Sequence, residues 1–244
     1  MITNPNIEIL EAAAERLKTL TEDMVFVGGC ATGILLTDPA ASPVRPTIDV
    51  DVLVEVATLA EYHRLSEQLR QLGFVEDTSE DAPICRWKTP DVILDVMPTD
   101  PKILGFGNRW FTLAYKASEW TTLPSGKQIR LLPAPYFIAT KLEAFEYRGG
   151  NDYLMSRDME DIVTVLDGRS EIVSEVKESG KELKDYLSER CSMLLKERDF
   201  LDALPGHLLP DAASQARSAL IIDRLKTISG FALSKEGLIR PDHS

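Results

Sequence analysis

The stretch from Thr47 to Val56 constrains this chain more than any other. Ile48, Val50, Val52, Val54 and Val56 alternate with Thr47, Asp49, Asp51, Leu53 and Glu55 in an unbroken period of two. Residues i and i+2 of a strand point to the same side. The segment is therefore expected to be a strand with its aliphatic face in a core and with Asp49 and Asp51 projecting together from the other face. Two adjacent carboxylates repel each other and raise each other's pKa unless a cation lies between them. Mg²⁺ suits that place, because it prefers oxygen ligands and commonly joins one or two carboxylates to substrate phosphates. The plain alternative is a pair of acids on the solvated side of an edge strand, and an isolated Asp-x-Asp does not choose between the two.

Two further features bear on that choice. Asp95 lies within Val92-Ile93-Leu94-Asp95-Val96-Met97 and shares a strand face with Ile93 and Met97. A carboxylate in so apolar a run is costly to bury without a partner. If its strand lies near Asp49 and Asp51, the three carboxylates form a set of the kind that holds two metal ions about 3.5–4 Å apart for an in-line phosphoryl displacement. A hydrogen-bonded acid at a strand end is the other reading. Upstream, Val25-Phe26-Val27 runs into Gly28-Gly29 and then Cys30-Ala31-Thr32. A strand, a diglycine turn and a helix start let backbone N–H groups approach phosphate oxygens. Cys30 at that helix start reads as a small packing residue, because no base accompanies it.

The pattern of the rest gives mixed α/β texture followed by helices. Residues 5–20 repeat apolar positions near the helical period, as do Ala57 to Leu72, where Gly73 ends the helix. Cys30 to Leu36 reads as a short helix, and Asp38 to Pro46, with three prolines, as a loop. Ile84 to Lys88 and Val92 to Met97 flank Thr89-Pro90-Asp91 and predict a hairpin; Glu119 to Leu123 and Gln128 to Leu132 predict a second. Beyond that, Pro135 to Tyr147, Ser156 to Leu166, Ile172 to Lys196 (broken near Gly180) and Pro210 to Ile228 read as helices. The expected fold class is α/β of the α+β kind. A small mixed-sheet domain, 1–132, precedes a helical domain, 133–244, and Lys235 to Ser244 is expected to be loosely held.

Composition narrows the function. A formal net charge of −12 argues against a protein that coats nucleic acid. Between Pro101 and Arg148, however, seven basic residues (Lys102, Arg109, Lys116, Lys127, Arg130, Lys141, Arg148) face three acidic ones (Glu119, Glu143, Glu146), so that window carries +4. It suits a phosphate-bearing ligand or RNA, or is a solvated set of loops and strands. Cys30, Cys85 and Cys191 are far apart and show no CxxC pattern, and His63, His207 and His243 show no metal-ligand spacing. No apolar run is long enough for a membrane helix and the start lacks signal-peptide character, so a cytoplasmic protein without membrane association is expected.

Taken together, Gly28-Gly29, Asp49-Val50-Asp51 and Asp95 resemble the DNA polymerase β-like nucleotidyltransferase superfamily. Three blocks bring the resemblance closer to the AbiEii-type nucleotidyltransferases, the toxin halves of phage-defence toxin–antitoxin systems. They are Arg45-Pro46-Thr47-Ile48-Asp49-Val50-Asp51, Lys141-Leu142-Glu143-Ala144-Phe145-Glu146-Tyr147-Arg148, and Arg157-Asp158-Met159-Glu160-Asp161-Ile162. The motifs span residues 28–162, and the stretch Cys30 to Ile48 is longer than usual for the superfamily. The resemblance implies a Mg²⁺- or Mn²⁺-dependent transfer of a nucleoside monophosphate from an NTP to an acceptor hydroxyl. The metals would sit on Asp49, Asp51 and Asp95. Lys141 and Asp161 would be catalytic, and Gly28, Gly29, Arg45, Thr47, Arg148 and Asp158 would bind nucleotide. It also implies an RNA acceptor such as a tRNA end, or a protein hydroxyl, and a cognate antitoxin. A small-molecule nucleotidyltransferase and a catalytically silent binding protein are the alternatives. Lys141 and Arg148 lie seven apart and share a helix face, while Asp158 and Asp161 are i, i+3 neighbours; an interhelical salt-bridge network without catalytic part is the other reading of that set.

Overall fold

Among the described residues, seven strands make one mixed sheet: β1 (Met24–Val27), β2 (Asp49–Val54), β3 (Val75–Glu76), β4 (Arg86–Lys88), β5 (Ile93–Pro98), β6 (Glu119–Thr122) and β7 (Gln128–Leu131). Their order is β3-β4-β5-β2-β1-β7-β6. The acidic strand β2 is thus central rather than an edge strand, parallel to β5 and antiparallel to β1. A central strand is covered on both faces, and this departs from the simple two-faced pattern. Leu53 on the acidic face is wholly buried, whereas Ile48, one residue before the strand begins, is 72% exposed.

The structure, a computed structural model, describes residues 5–233; the sequence expectation for Lys235 to Ser244 and His243 lie outside the described residues. The described chain forms two compact units, one of residues 5–35 and 43–140, the other of residues 36–42 and 141–233. No helix among the described residues is long and apolar enough to cross a membrane.

In the first unit, α1 (Pro5–Leu17) leads through a 3-10 turn into β1, and α2 (Gly28–Leu35) starts at the diglycine itself, two residues earlier than the sequence suggests. After β2, α3 (Leu59–Gln71) opens with a reciprocal cap. The Thr58 hydroxyl accepts from the Glu61 N–H and the Glu61 carboxylate accepts from the Thr58 N–H, which satisfies two of the orphan donors at a helix start. The β4–β5 hairpin is closed by the Thr89 N–H donating to the Val92 carbonyl at 2.8 Å. A short helix not foreseen from sequence, α4 (Phe111–Ala117), buries Trp110, Phe111 and Ala114. Two turns of helix are too little for a periodic signal to register.

The second unit is helical: the end of α5 (Ala134–Arg148), then α6 (Arg157–Gly168), α7 (Ile172–Glu178), α8 (Lys181–Leu194), α9 (Arg198–Ala203) and α10 (Ala212–Leu233). The expected break near Gly180 is there, with Gly180 at the N-cap of α8. Residues 36–42, the first part of the proline-rich loop, are built into this unit. The Thr37 and Asp38 amides both donate to the Gly168 carbonyl at 2.9 Å, and Arg217 donates to the Asp38 carboxylate at 2.7 Å and to the Asp167 carboxylate at 2.5 Å. Gly168 is needed for this contact, because a Cβ there would lie 2.7 Å from Leu36 and 2.9 Å from Ala41.

Candidate functional site

Four neighbouring strands of the first unit set one row of residues across the sheet. Val27 pairs with Asp51, Asp51 with Asp95, and Asp95 with Arg86. Residues at one level of a sheet share a face, so Asp51, Asp95 and Arg86 emerge together, and Asp49, two residues before Asp51, joins them. The three carboxylates therefore lie on one face of two adjacent parallel strands.

A guanidinium sits among them. Arg86 Nε donates to Asp95 Oδ1 at 2.8 Å and Nη2 to Asp95 Oδ2 at 2.7 Å; Nη2 also donates to Asp49 Oδ2 at 2.9 Å. This is the two-pronged pairing in which guanidinium and carboxylate match best. It accounts for how Asp95, only 6% exposed, is tolerated between apolar neighbours. The hydrogen bond from Arg86 to Asp95 leads the influences that hold the Arg86 pKa above its already high value, so its charge is permanent. Cys85, just before it, is buried, and burial followed by the negative Asp95 and Asp51 pushes its thiol up to about 12, which keeps it protonated and unreactive.

The glycine turn closes on the same carboxylates. Gly28 has φ +71°, a region where side chains are strained, and a Cβ built on it would lie 1.8 Å from Asp51 Oδ2. The turn backbone thus packs directly on the Asp51 carboxylate, and α2 begins there. Cys30 faces away from any such role: it is buried and its thiol donates to the Val27 carbonyl at 3.2 Å.

Asn6, wholly buried on α1, ties these pieces together. Its side-chain oxygen accepts from the Thr47 N–H at 2.9 Å, and its amide donates to the Arg45 carbonyl at 2.9 Å and the Gly29 carbonyl at 3.4 Å. Arg45 and Thr47 are half-buried and sit where the chain enters β2. Replacing Asn6 by Leu, similar in volume, leaves buried backbone groups without partners, each costing about 1–3 kcal/mol. Urea unfolding of the variant is expected to give a free energy of unfolding lower by that amount.

Lys141, Arg148, Asp158 and Asp161 belong to the second unit and form their own cluster. Lys141 Nζ lies 2.6 Å from Asp161 Oδ2 and 3.2 Å from Asp158 Oδ1, and Arg148 donates to both oxygens of Asp158 at 2.8 and 2.9 Å. Both carboxylates are buried. Burial raises the Asp158 pKa, but the Arg148 hydrogen bond and the Lys141 and Arg148 charges outweigh it, and the net value lies below the usual range. The stability this brings is complete above about pH 4, where an unfolded aspartate is ionised, and is lost as pH falls through the lower folded value. An Asp158→Asn chain is expected to lose about 1–3 kcal/mol at pH 7, less than a fully buried pair because Arg148 is largely exposed. Denaturation at pH 7 and below pH 4 checks this: the deficit against the original chain narrows in acid.

Sequence reasoning missed Arg86 and Asn6. Arg86 was within reach, because a hairpin that closes at Thr89 and Val92 pairs Lys88 with Ile93 and hence Arg86 with Asp95. Nothing local marks Asn6, whose partners lie 23, 39 and 41 residues away.

The donor set can be weighed against the divalent cations that the sequence resemblance implies. Among the described residues, no group of three or more His, Cys, Asp or Glu side chains is arranged to hold a metal ion. Both oxygens of Asp95 and one of Asp49 accept from Arg86, so a second ion bound by Asp95 does not fit while the guanidinium stands there. Asp49 and Asp51, two hard oxygen donors on one face, suit a single Mg²⁺ or Mn²⁺ completed by water and phosphate oxygens.

No protein-family model matches the chain, and no curated protein does. Among solved structures, JHP933 from Helicobacter pylori is similar at 12% identity and TM-score 0.48, covering 97% of each chain. An H. pylori protein provisionally named a nucleotidyltransferase is similar at 12% identity and TM-score 0.49, covering 98% of this chain and 100% of that one. Likeness of this degree says nothing about chemistry.

Proposed function

We propose that this chain is a nucleotidyltransferase that moves a nucleoside monophosphate from an NTP to an acceptor hydroxyl. One observation carries the reading: the Gly28 turn, at the start of a helix, packs on the Asp51 carboxylate beside Asp49 and Asp95. Backbone amides at a helix N-terminus bind phosphate, and adjacent carboxylates bind the cation that travels with it. Asp49 and Asp51 hold the cation, and when bound it offsets the charge of the phosphates and of the departing pyrophosphate. The Gly28-Gly29 turn receives the phosphate tail. In the transfer, the acceptor hydroxyl gives up its proton to solvent water, its oxygen bonds to the α-phosphorus, the α–β bridging bond breaks, and pyrophosphate leaves with the electron pair. Asp95 stands beside Asp51 in the same row, with its orientation fixed by Arg86.

The sequence resemblance extends the proposal to an RNA or protein acceptor, and to a toxin paired with a cognate antitoxin. A second reading, nucleotide or partner binding without transfer, is favoured by Arg86, which already neutralises part of the charge that metal ions neutralise in an active site.

Incubation with each labelled NTP, Mg²⁺ or Mn²⁺, and total RNA, cell extract or small hydroxylated acceptors separates these readings. Label in RNA or protein supports the toxin-like form, and label only in small acceptors the small-molecule form. Saturable nucleotide binding without transfer supports the second reading, and neither binding nor transfer rejects both. Asp49→Ala is expected to reduce any transfer at least about 10³-fold, in line with the electrostatic stabilisation such sites supply; full activity in that variant removes the site from consideration.

A further inference from the structure

We propose that Arg86 takes the electrostatic place of a second metal ion: it is a positioning residue that fixes Asp95 and braces Asp49, so that the site takes up one divalent cation rather than two. This rests on the reading of Asp49 and Asp51 as cation ligands.

Three observations support it. The first is placement. Arg86 does not reach in from a loop; it stands on β4, in register with Asp95 on the adjacent strand, and is held by the β4–β5 hairpin. The second is geometry. One side chain spans two carboxylates on two strands, with three hydrogen bonds of 2.7–2.9 Å, and its side chain is only 20% exposed. A metal ion bridging Asp49 and Asp95 would draw on those same oxygens. The third is charge. Asp49, Asp51, Asp95 and Arg86 together carry a formal −2, which a single divalent cation cancels, whereas two cations would leave the protein side of the site at +2. Arginine does not lose its proton in proteins, so this contribution is constant across the working pH range, unlike an exchangeable ion.

The consequence is a division of labour within the row. Asp49 shares its carboxylate between Arg86 and the cation, Asp51 faces the glycine turn, and Asp95 is locked by the two-pronged pair. Removing the guanidinium frees three carboxylate oxygens and opens a second cation position.

Mn²⁺ alone and Mn²⁺ with a non-hydrolysable NTP analogue serve as probes, read by equilibrium dialysis and electron paramagnetic resonance on the full chain. The original chain is expected to bind one Mn²⁺ with the signal of an isolated ion. Arg86→Met is expected to bind two, with the line broadening of a spin-coupled pair, and Arg86→Lys, which keeps the charge, to return toward one. The original chain itself provides a check that does not depend on Arg86→Met folding: titrated with Mn²⁺ in excess over the site, it keeps one ion and shows no spin-coupled pair. Two ions in the original chain, no ion at all, or an Arg86→Met chain that folds yet still binds one would each overturn the proposal. The label-transfer assay reads nucleotidyl transfer separately, so two bound ions with active transfer refutes the role of Arg86 alone. Absence of both cation binding and transfer refutes the functional reading beneath it.

Discussion

Gly28→Ala is expected to lose nucleotidyl transfer by about 100-fold or more, the scale on which an ångström of misplacement acts at a reacting centre. The reason is contact rather than flexibility. Gly28 has φ +71°, and its missing side chain is the space that Asp51 fills: a Cβ would stand 1.8 Å from Oδ2, 2.6 Å from Cγ and 2.8 Å from Cβ of Asp51. Either the turn moves away from β2 or Asp51 swings out of the row, and both separate the phosphate-binding turn from the cation ligands. Left-handed backbone costs about 1–2 kcal/mol for a residue with a side chain, and the clash adds about 1–3 kcal/mol of overpacking strain. Gly126 supplies the control. It has φ +86° in the β6–β7 hairpin, but a Cβ there meets nothing within 4 Å. Gly126→Ala is therefore expected to pay only the backbone term and to keep full transfer. Parallel unfolding and label-transfer measurements on the two variants separate strain from site geometry. Equal transfer in both would show that the contact between Gly28 and Asp51 is irrelevant to activity.

Arg86→Met is expected to lower stability through charge rather than through packing. Taking away one partner of a buried ion pair costs about 3–5 kcal/mol, because the charge left behind has no compensation. Asp49 is one-third exposed, which discounts its share, while Asp95 is almost wholly enclosed. A loss of about 2–4 kcal/mol at pH 7 follows. Methionine preserves most of the apolar stem, so the loss reports charge rather than packing. Thermal melts with and without Mn²⁺ check it. The variant's midpoint falls, and Mn²⁺ raises it more than it raises the original, since a ligand that binds only the folded state stabilises it. An unchanged midpoint would mean that Asp95 does not depend on Arg86.

Much of this arrangement was legible in the residue order, and what was not has identifiable causes. The alternation around Asp49 and Asp51 gave the strand, and the apolar run around Asp95 gave its partner, because period-two patterning is a local property. The position of β2 at the centre of the sheet was not local. It depends on β5 and β1 pairing on either side, and an edge strand with the same alternation stayed open until that order was known. The fully buried Leu53 on the acidic face has the same origin. Three prolines in Asp38 to Pro46 suggested one loop between α2 and β2, yet residues 36–42 are fixed by Gly168 and Arg217, more than 120 residues away. Asn6 escaped notice because an asparagine near a helix start ordinarily reads as a cap, and only the fold shows it bonded to the turn and to the entry of β2.

The most direct measurement is a crystal structure of the full chain with Mn²⁺ and a non-hydrolysable NTP analogue, using anomalous scattering to locate the metal. The expected result is one manganese peak bonded to Asp49 and Asp51, the triphosphate against the Gly28-Gly29 amides, and Arg86 still forked onto Asp95. Nucleotide bound elsewhere, with no manganese at Asp49 and Asp51, would contradict it.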